Sequence, residues 1–212
     1  MKNHFQVLWL LLLLVAATFW SDNAIFQTEL AAAVTSEKPP AITEKGFLLG
    51  YGGDRWNLTT IGPNSYRGNY QTIMLAGEFG ADLSRIFPDL KSIPGVLSFY
   101  FEPAYEQGVN GGFELGLNMG FMYRLPIYDR FDGYLGLGGG PFYISTLQEL
   151  NPPGTGWTMA GTVSFGASYN LPDDSAINLG LRLKHNSNGR LDWPINIYND
   201  WYVTAGYSWF YN

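Results

Sequence analysis

The chain has 212 residues, twelve Lys and Arg against eighteen Asp and Glu, a formal net charge of −6 and no cysteine. That length holds one domain, two at most, and the lack of Cys excludes disulfide scaffolds, thiolate zinc sites, iron–sulfur clusters and cysteine nucleophiles. An acidic chain without a Lys/Arg cluster is a poor match for nucleic acid. Charged residues at 14 %, aromatics at 17 % and 26 glycines suit strands that face lipid better than a soluble surface, where about 25 % charge is usual.

The first element is an address. Lys2 precedes an apolar run from Val7 to about Trp20, the n-region and h-region of a secretory signal peptide. The rival, an N-terminal anchor helix, is disfavoured because the run is shorter than the ~20 residues that cross a bilayer. Cleavage falls near Ala24 or at Ala31 to Ala33. The expected organisation is therefore a signal over 1–33, a Pro39-Pro40-containing flexible lead-in over 34–45 and one domain over 46–212. No later apolar run reaches helix-spanning length, so any membrane crossing is made by strands.

From residue 46 onward hydrophobicity alternates with a period of two. In Gly112–Arg124 the odd positions are Phe113, Leu115, Leu117, Met119, Phe121 and Tyr123, and the even positions are small or polar apart from Met122. Successive side chains of a strand point to opposite faces, so one face is greasy and the other is not. Eight strands are predicted, at 46–54, 69–81, 95–105, 111–124, 132–145, 157–170, 176–187 and 200–211, separated by turn signals such as Pro63-Asn64, Pro152-Pro153-Gly154 and Pro172-Asp173-Asp174. Strands of this length suit a tilted bilayer crossing. A lipocalin-like soluble barrel would need a charged outer face, and the polar faces here carry too few charges. Recurrent glycines (Gly116, Gly120, Gly136, Gly138, Gly140, Gly166, Gly180) fit instead the crowded lumen of an eight-stranded barrel. Only a closed barrel satisfies every backbone polar group in hydrocarbon. The expected fold is all-β, an eight-stranded antiparallel transmembrane β-barrel of the bacterial outer membrane, with Glu78, Glu102, Glu114, Arg182 and Lys184 forming a charge network inside.

Chemistry concentrates at the end of the seventh strand, in Lys184-His185-Asn186-Ser187-Asn188-Gly189. His185 is the only histidine after the signal. Residues two apart on a strand share a face, so its imidazole can serve a Ser187 hydroxyl as base to nucleophile. A polar turn without activity is the competing reading of so short a motif. Both residues continue the parity of the lipid-facing Ile177, Leu179, Leu181 and Leu183, which sets them at the headgroup and ester level of the bilayer.

His185-Asn186-Ser187-Asn188-Gly189, followed by Pro194, Asn196 and a last strand with Gly206-Tyr207, resembles the lipid A 3-O-deacylase family, outer-membrane esterases with a His-x-Ser-Asn signature on the outer wall of the barrel. The resemblance covers about thirty residues. It implies His185 as general base, Ser187 as nucleophile and Asn188 in the oxyanion hole; Gly189 N–H is a second candidate donor. The family's His-orienting Glu is missing here. By spacing and parity the position falls on Asn199, whereas Asp200 has the better chemistry and would need a bulge to reach the outer face. The preference goes to Asp200, with Asn199 open. The implied substrate is lipid A of lipopolysaccharide in the outer leaflet, with no metal or organic cofactor required, and a homodimer is compatible with such a barrel. The alternatives are a structural or adhesive barrel without activity, and an esterase acting on phospholipid. Arg190 is a candidate for a lipid A phosphate, and Trp193, Tyr198 and Trp201 for an acyl groove or an interfacial anchor.

Overall fold

A computed structural model describes residues 42–53, 71–109, 111–145, 156–187 and 197–211. Eight strands form a closed antiparallel barrel in simple sequence order. They are β1 (Glu44–Gly53), β2 (Thr72–Asp82), β3 (Val96–Gly108), β4 (Phe113–Tyr128), β5 (Phe131–Ser145), β6 (Gly156–Asn170), β7 (Ser175–Ser187) and β8 (Ile197–Phe210). Strand β1 starts two residues before the expected 46, and closure comes from β1 pairing with β8 over its whole length, Glu44 opposite Phe210 and Gly53 opposite Trp201. The signal and most of the expected lead-in lie outside the described residues.

Alternation in the sequence translates into two faces with one rule: the even-numbered strand residues point into the lumen and the odd-numbered ones outward, up to the register shift between Pro126 and Tyr128 at the end of β4. The outer wall is apolar, with Leu179 60 % and Val203 50 % exposed and Phe121, Leu135, Leu137 and Phe165 beside them in the same belt. Aromatic rings gather at both ends of the wall. Tyr143 and Trp157 meet edge-on at 5.7 Å at one end, and Phe131–Tyr169 and Tyr207–Trp209 pair at 5.0 and 4.7 Å at the other. These are the girdles of a membrane barrel.

The glycines permit a filled lumen. A Cβ on Gly116 would lie 2.3 Å from the Phe142 ring, and one on Gly180 would lie 2.1 Å from the Tyr134 hydroxyl. Each large ring thus rests on a backbone stripped of side chain, and a cavity of about 10 Å³ beside Glu78, Arg124 and Arg182 leaves room for a single water.

Among the described residues, the charges inside are grouped around three cations. Arg124 pairs with Glu44 and, at 3.8 Å, with Glu78. Arg182 binds Glu102 bidentately at 2.6 and 2.7 Å and donates from Nε to Ser164 at 2.9 Å. Lys184 reaches Glu106 at 2.5 Å and Glu114 at 2.7 Å. All five charges expected inside are there, joined by Glu44, Glu106, Arg124 and Asp200. Glu44 and Glu106 fell outside the expected strand limits by one or two residues, although their even numbers place them correctly once the strands are extended.

Orientation follows from the connections. On the side where β1 begins and β8 ends, β4 to β5 and β6 to β7 are joined by tight turns, and β2 to β3 by a longer connection, 83–95, that carries two short 3-10 turns. On the other side 109–112 is short, while the connections 54–71, 146–155 and 188–196 are long. Short turns face the periplasm and long loops the exterior in barrels of this kind, so β7 runs outward and ends at the cell surface.

Candidate active site

Strand β7 carries its apolar outward residues Ile177, Leu179 and Leu181 up the wall and then changes character, with half-buried His185 and Ser187 on the same face. No bulge interrupts its pairing with β8: Lys184 lies opposite Asp200, His185 opposite Asn199 and Ser187 opposite Ile197. This register separates two neighbours of contrasting fate. Asn199 faces outward with His185, and the His185 Nδ1 to Asn199 Oδ1 distance is 2.7 Å. Asp200 faces the lumen with Lys184 and is fully buried. The preference for Asp200 as the group that orients the imidazole is therefore corrected. A regular ladder keeps the carboxylate on the opposite face, and the amide carbonyl takes that place.

The bond fixes a tautomer. An amide oxygen only accepts, so Nδ1 carries the hydrogen and donates it to Asn199. The Nε2 lone pair is then directed away from β8, in the state that a general base requires. Asn199 is only 4 % exposed although it sits on the outward face, so its carbonyl is shielded from competing water. Unlike a carboxylate, the amide adds no charge to stabilise an imidazolium, as in Cys–His–Asn sites.

Beside His185 on β6 stands Gly161, and beside that on β5 Gly139. A Cβ added to Gly161 would meet nothing within 4 Å. The wall next to the imidazole is thus recessed, between the exposed Met159 above and Val163 below, a feature the sequence reading did not single out. Its signal was present as two outward-parity glycines in register with the histidine. Ser187 closes β7 and pairs with Met159 and Ile197. Asn188, Gly189, Arg190 and Trp193 lie outside the described residues, as does the side chain of Tyr198. Trp201 is half-buried on the outward face opposite Leu183.

Closed eight-strand topology, an apolar outer wall with two aromatic girdles and a charged, filled lumen define the class: a transmembrane β-barrel of the bacterial outer membrane. Solved structures agree on the fold. The outer membrane enzyme PagL matches with a TM-score of 0.52 at 15 % identity, over 78 % of this chain and 98 % of PagL. Neisserial surface protein A (NspA) matches equally, with a TM-score of 0.52 at 12 % identity over 80 % of this chain and 96 % of NspA. No protein-family model and no curated protein sequence matches the chain.

Proposed function

We propose that this barrel is a serine esterase that removes an ester-linked 3-hydroxyacyl chain from lipid A in the outer leaflet. The observation that carries the reading is the 2.7 Å His185–Asn199 bond on the outward face, two residues from a serine of the same parity at the end of β7. In this mechanism Ser187 Oγ attacks the ester carbonyl while His185 Nε2 takes its proton. The collapsing tetrahedral intermediate expels the sugar alkoxide, which receives the proton, and water then hydrolyses the acyl-enzyme by the same route. Backbone N–H of Gly189 and the side chain of Asn188 are the proposed donors to the oxyanion. The recess over Gly161 gives the acyl chain a place against the wall without displacing a side chain.

Mass spectrometry of lipid A from cells expressing wild type, His185→Ala and Ser187→Ala tests the proposal. Loss of one hydroxyacyl chain with wild type and intact lipid A with both variants is expected. Intact lipid A with the wild type, or equal trimming by all three, overturns it. Defined phospholipid and lipopolysaccharide micelles given to the purified protein separate the two lipid substrates. The equal likeness to NspA, a surface protein, favours a second reading, a barrel without enzymatic activity. That reading predicts unchanged lipid A from every cell line.

A further inference from the structure

On the periplasmic side the connection 83–95 between β2 and β3 is thirteen residues long, whereas β4 to β5 needs two and β6 to β7 four. Turns on this side of a membrane barrel are ordinarily short, so the extra length asks for a reason. It is built chain with a defined shape, two 3-10 turns over Leu83–Arg85 and Pro88–Ser92. Asp82 caps the first, accepting from the Ser84 N–H at 2.8 Å and from its hydroxyl at 2.9 Å. The N–H groups of Ile86 and Phe87 both return to the Leu83 carbonyl, and Arg85 Nη2 donates to the Tyr211 carbonyl at 3.1 Å. The side chains divide by exposure. Leu83 and Leu90 are half-buried, while Ile86 is 65 % and Phe87 56 % exposed, and Ile93 is exposed as well. Three large apolar groups presented by so short a segment are costly in water.

The end of this connection lies on the lipid side of the barrel. Tyr123 faces outward on β4, opposite Leu97 on β3 and Leu135 on β5, and its hydroxyl donates to the Pro94 carbonyl. Gly95 permits that approach: its φ is +90°, and a Cβ there would lie 2.2 Å from the Arg124 carbonyl oxygen. The neighbouring β4–β5 hairpin behaves alike. Ile127 lies over the outward position of Gly133, where a Cβ would come 2.8 Å from Ile127 Cδ1, and Tyr128 beyond it is exposed. In the β3–β4 sector the apolar wall thus continues onto the periplasmic connections.

We propose that the β2–β3 connection is an interfacial anchor that seats Ile86, Phe87 and Ile93 in the glycerophospholipid leaflet on the periplasmic side, with the Lys91 ammonium among the lipid phosphates. The occupant follows from continuity, since the segment is bonded to a face that acyl chains already wet. A headgroup zone takes up both parts of it, the apolar side chains and the cation. An anchor confined to one sector of the rim fixes the depth and tilt of the barrel, as interfacial side chains do for membrane spans. The inference is independent of the ester-hydrolase reading: it concerns the opposite leaflet and holds equally for a barrel without activity.

The chain contains no cysteine, so Phe87→Cys in the full mature chain carries a single thiol for a polarity-sensitive bimane label. The protein is refolded into phosphatidylcholine–phosphatidylglycerol vesicles at large lipid excess. The same label at Leu137→Cys on the outer wall and at Pro172→Cys in the exposed β6–β7 turn supplies the lipid and water references. At position 87 emission is expected to lie to the blue of that at 172 and to be several-fold less quenched by aqueous iodide. Nitroxide lipid labelled near the headgroup is expected to quench it more than lipid labelled deep in the acyl chain, the reverse of the order at 137. Ile93→Cys is expected to give the same result and serves if the first variant does not refold. Emission and iodide quenching equal to those at 172 overturn the proposal, because the segment then stands in water. Protection from iodide without quenching by either lipid overturns it too, because protein, a second copy or the lead-in of the chain itself, then covers the patch.

Discussion

Asn199 meets the His185 ring on the outward face at 2.7 Å, and under the proposed esterase reading its amide does half of what a carboxylate would do there. It selects the Nδ1–H tautomer and holds the ring, but it supplies no counter-charge for the imidazolium. If the esterase reading holds, Asn199→Ala lowers kcat on the order of 10²-fold with little change in KM, and by more than Asp200→Asn does; Asn199→Asp retains or raises kcat. Steady-state kinetics on lipid A micelles checks this, and a larger loss from Asp200→Asn than from Asn199→Ala would contradict the orienting role. Glycine matters at the same scale. Gly180→Ala pushes a methyl group to 2.1 Å from the Tyr134 hydroxyl and 2.7 Å from the Phe165 carbonyl. An overpacking cost of about 1–3 kcal/mol follows. Tyr134→Phe in the same chain removes the nearest atom and recovers part of that cost, which urea unfolding of the single and double variants measures.

Strand by strand, most of the architecture was legible before any coordinates. Even-odd alternation in Gly112–Arg124 and Trp157–Asn170 gives the facing directly, because the pleat has a period of two and lipid tolerates no charge on its side. The outward position of His185 and the inward positions of Glu102 and Arg182 follow from the same count. Strand ends were less legible. Glu106 falls just beyond the expected strand 95–105, ahead of the glycine-rich turn signal Gly108 to Gly112, yet β3 continues through Gly108 to pair with Thr72. The choice between Asn199 and Asp200 depended on whether β8 bulges, which composition does not encode and the β7–β8 ladder does. A strand-level test uses the bidentate Arg182–Glu102 pair that joins β7 to β3 across the lumen. Arg182→Leu leaves the Glu102 carboxylate buried without its partner and destabilises by about 3–5 kcal/mol. Adding Glu102→Leu restores much of the loss, read as the urea midpoint in a double-mutant cycle.

For the whole barrel the two faces obey opposite rules, and stability in a bilayer depends on keeping them apart. Leu181 sits outward at mid-strand, in register with Phe165 on β6 and Val203 on β8. Leu181→Arg places a guanidinium against the acyl chains and costs about 2–4 kcal/mol. Refolding yield into lipid vesicles, compared with detergent, measures the cost, and an equal yield in both would argue that this side of the wall is not wetted by lipid.

The single parity shared by all eight strands also restricts how such a chain can change over time. Removing or adding one residue within any strand would turn the remainder of that strand inside out, delivering ionic groups to the oil and oily groups to the water-sized gaps within. Lineages of this barrel can therefore exchange letters freely and lengthen or trim the exterior loops, while within a strand only paired gains or losses, or a compensating bulge, preserve the molecule.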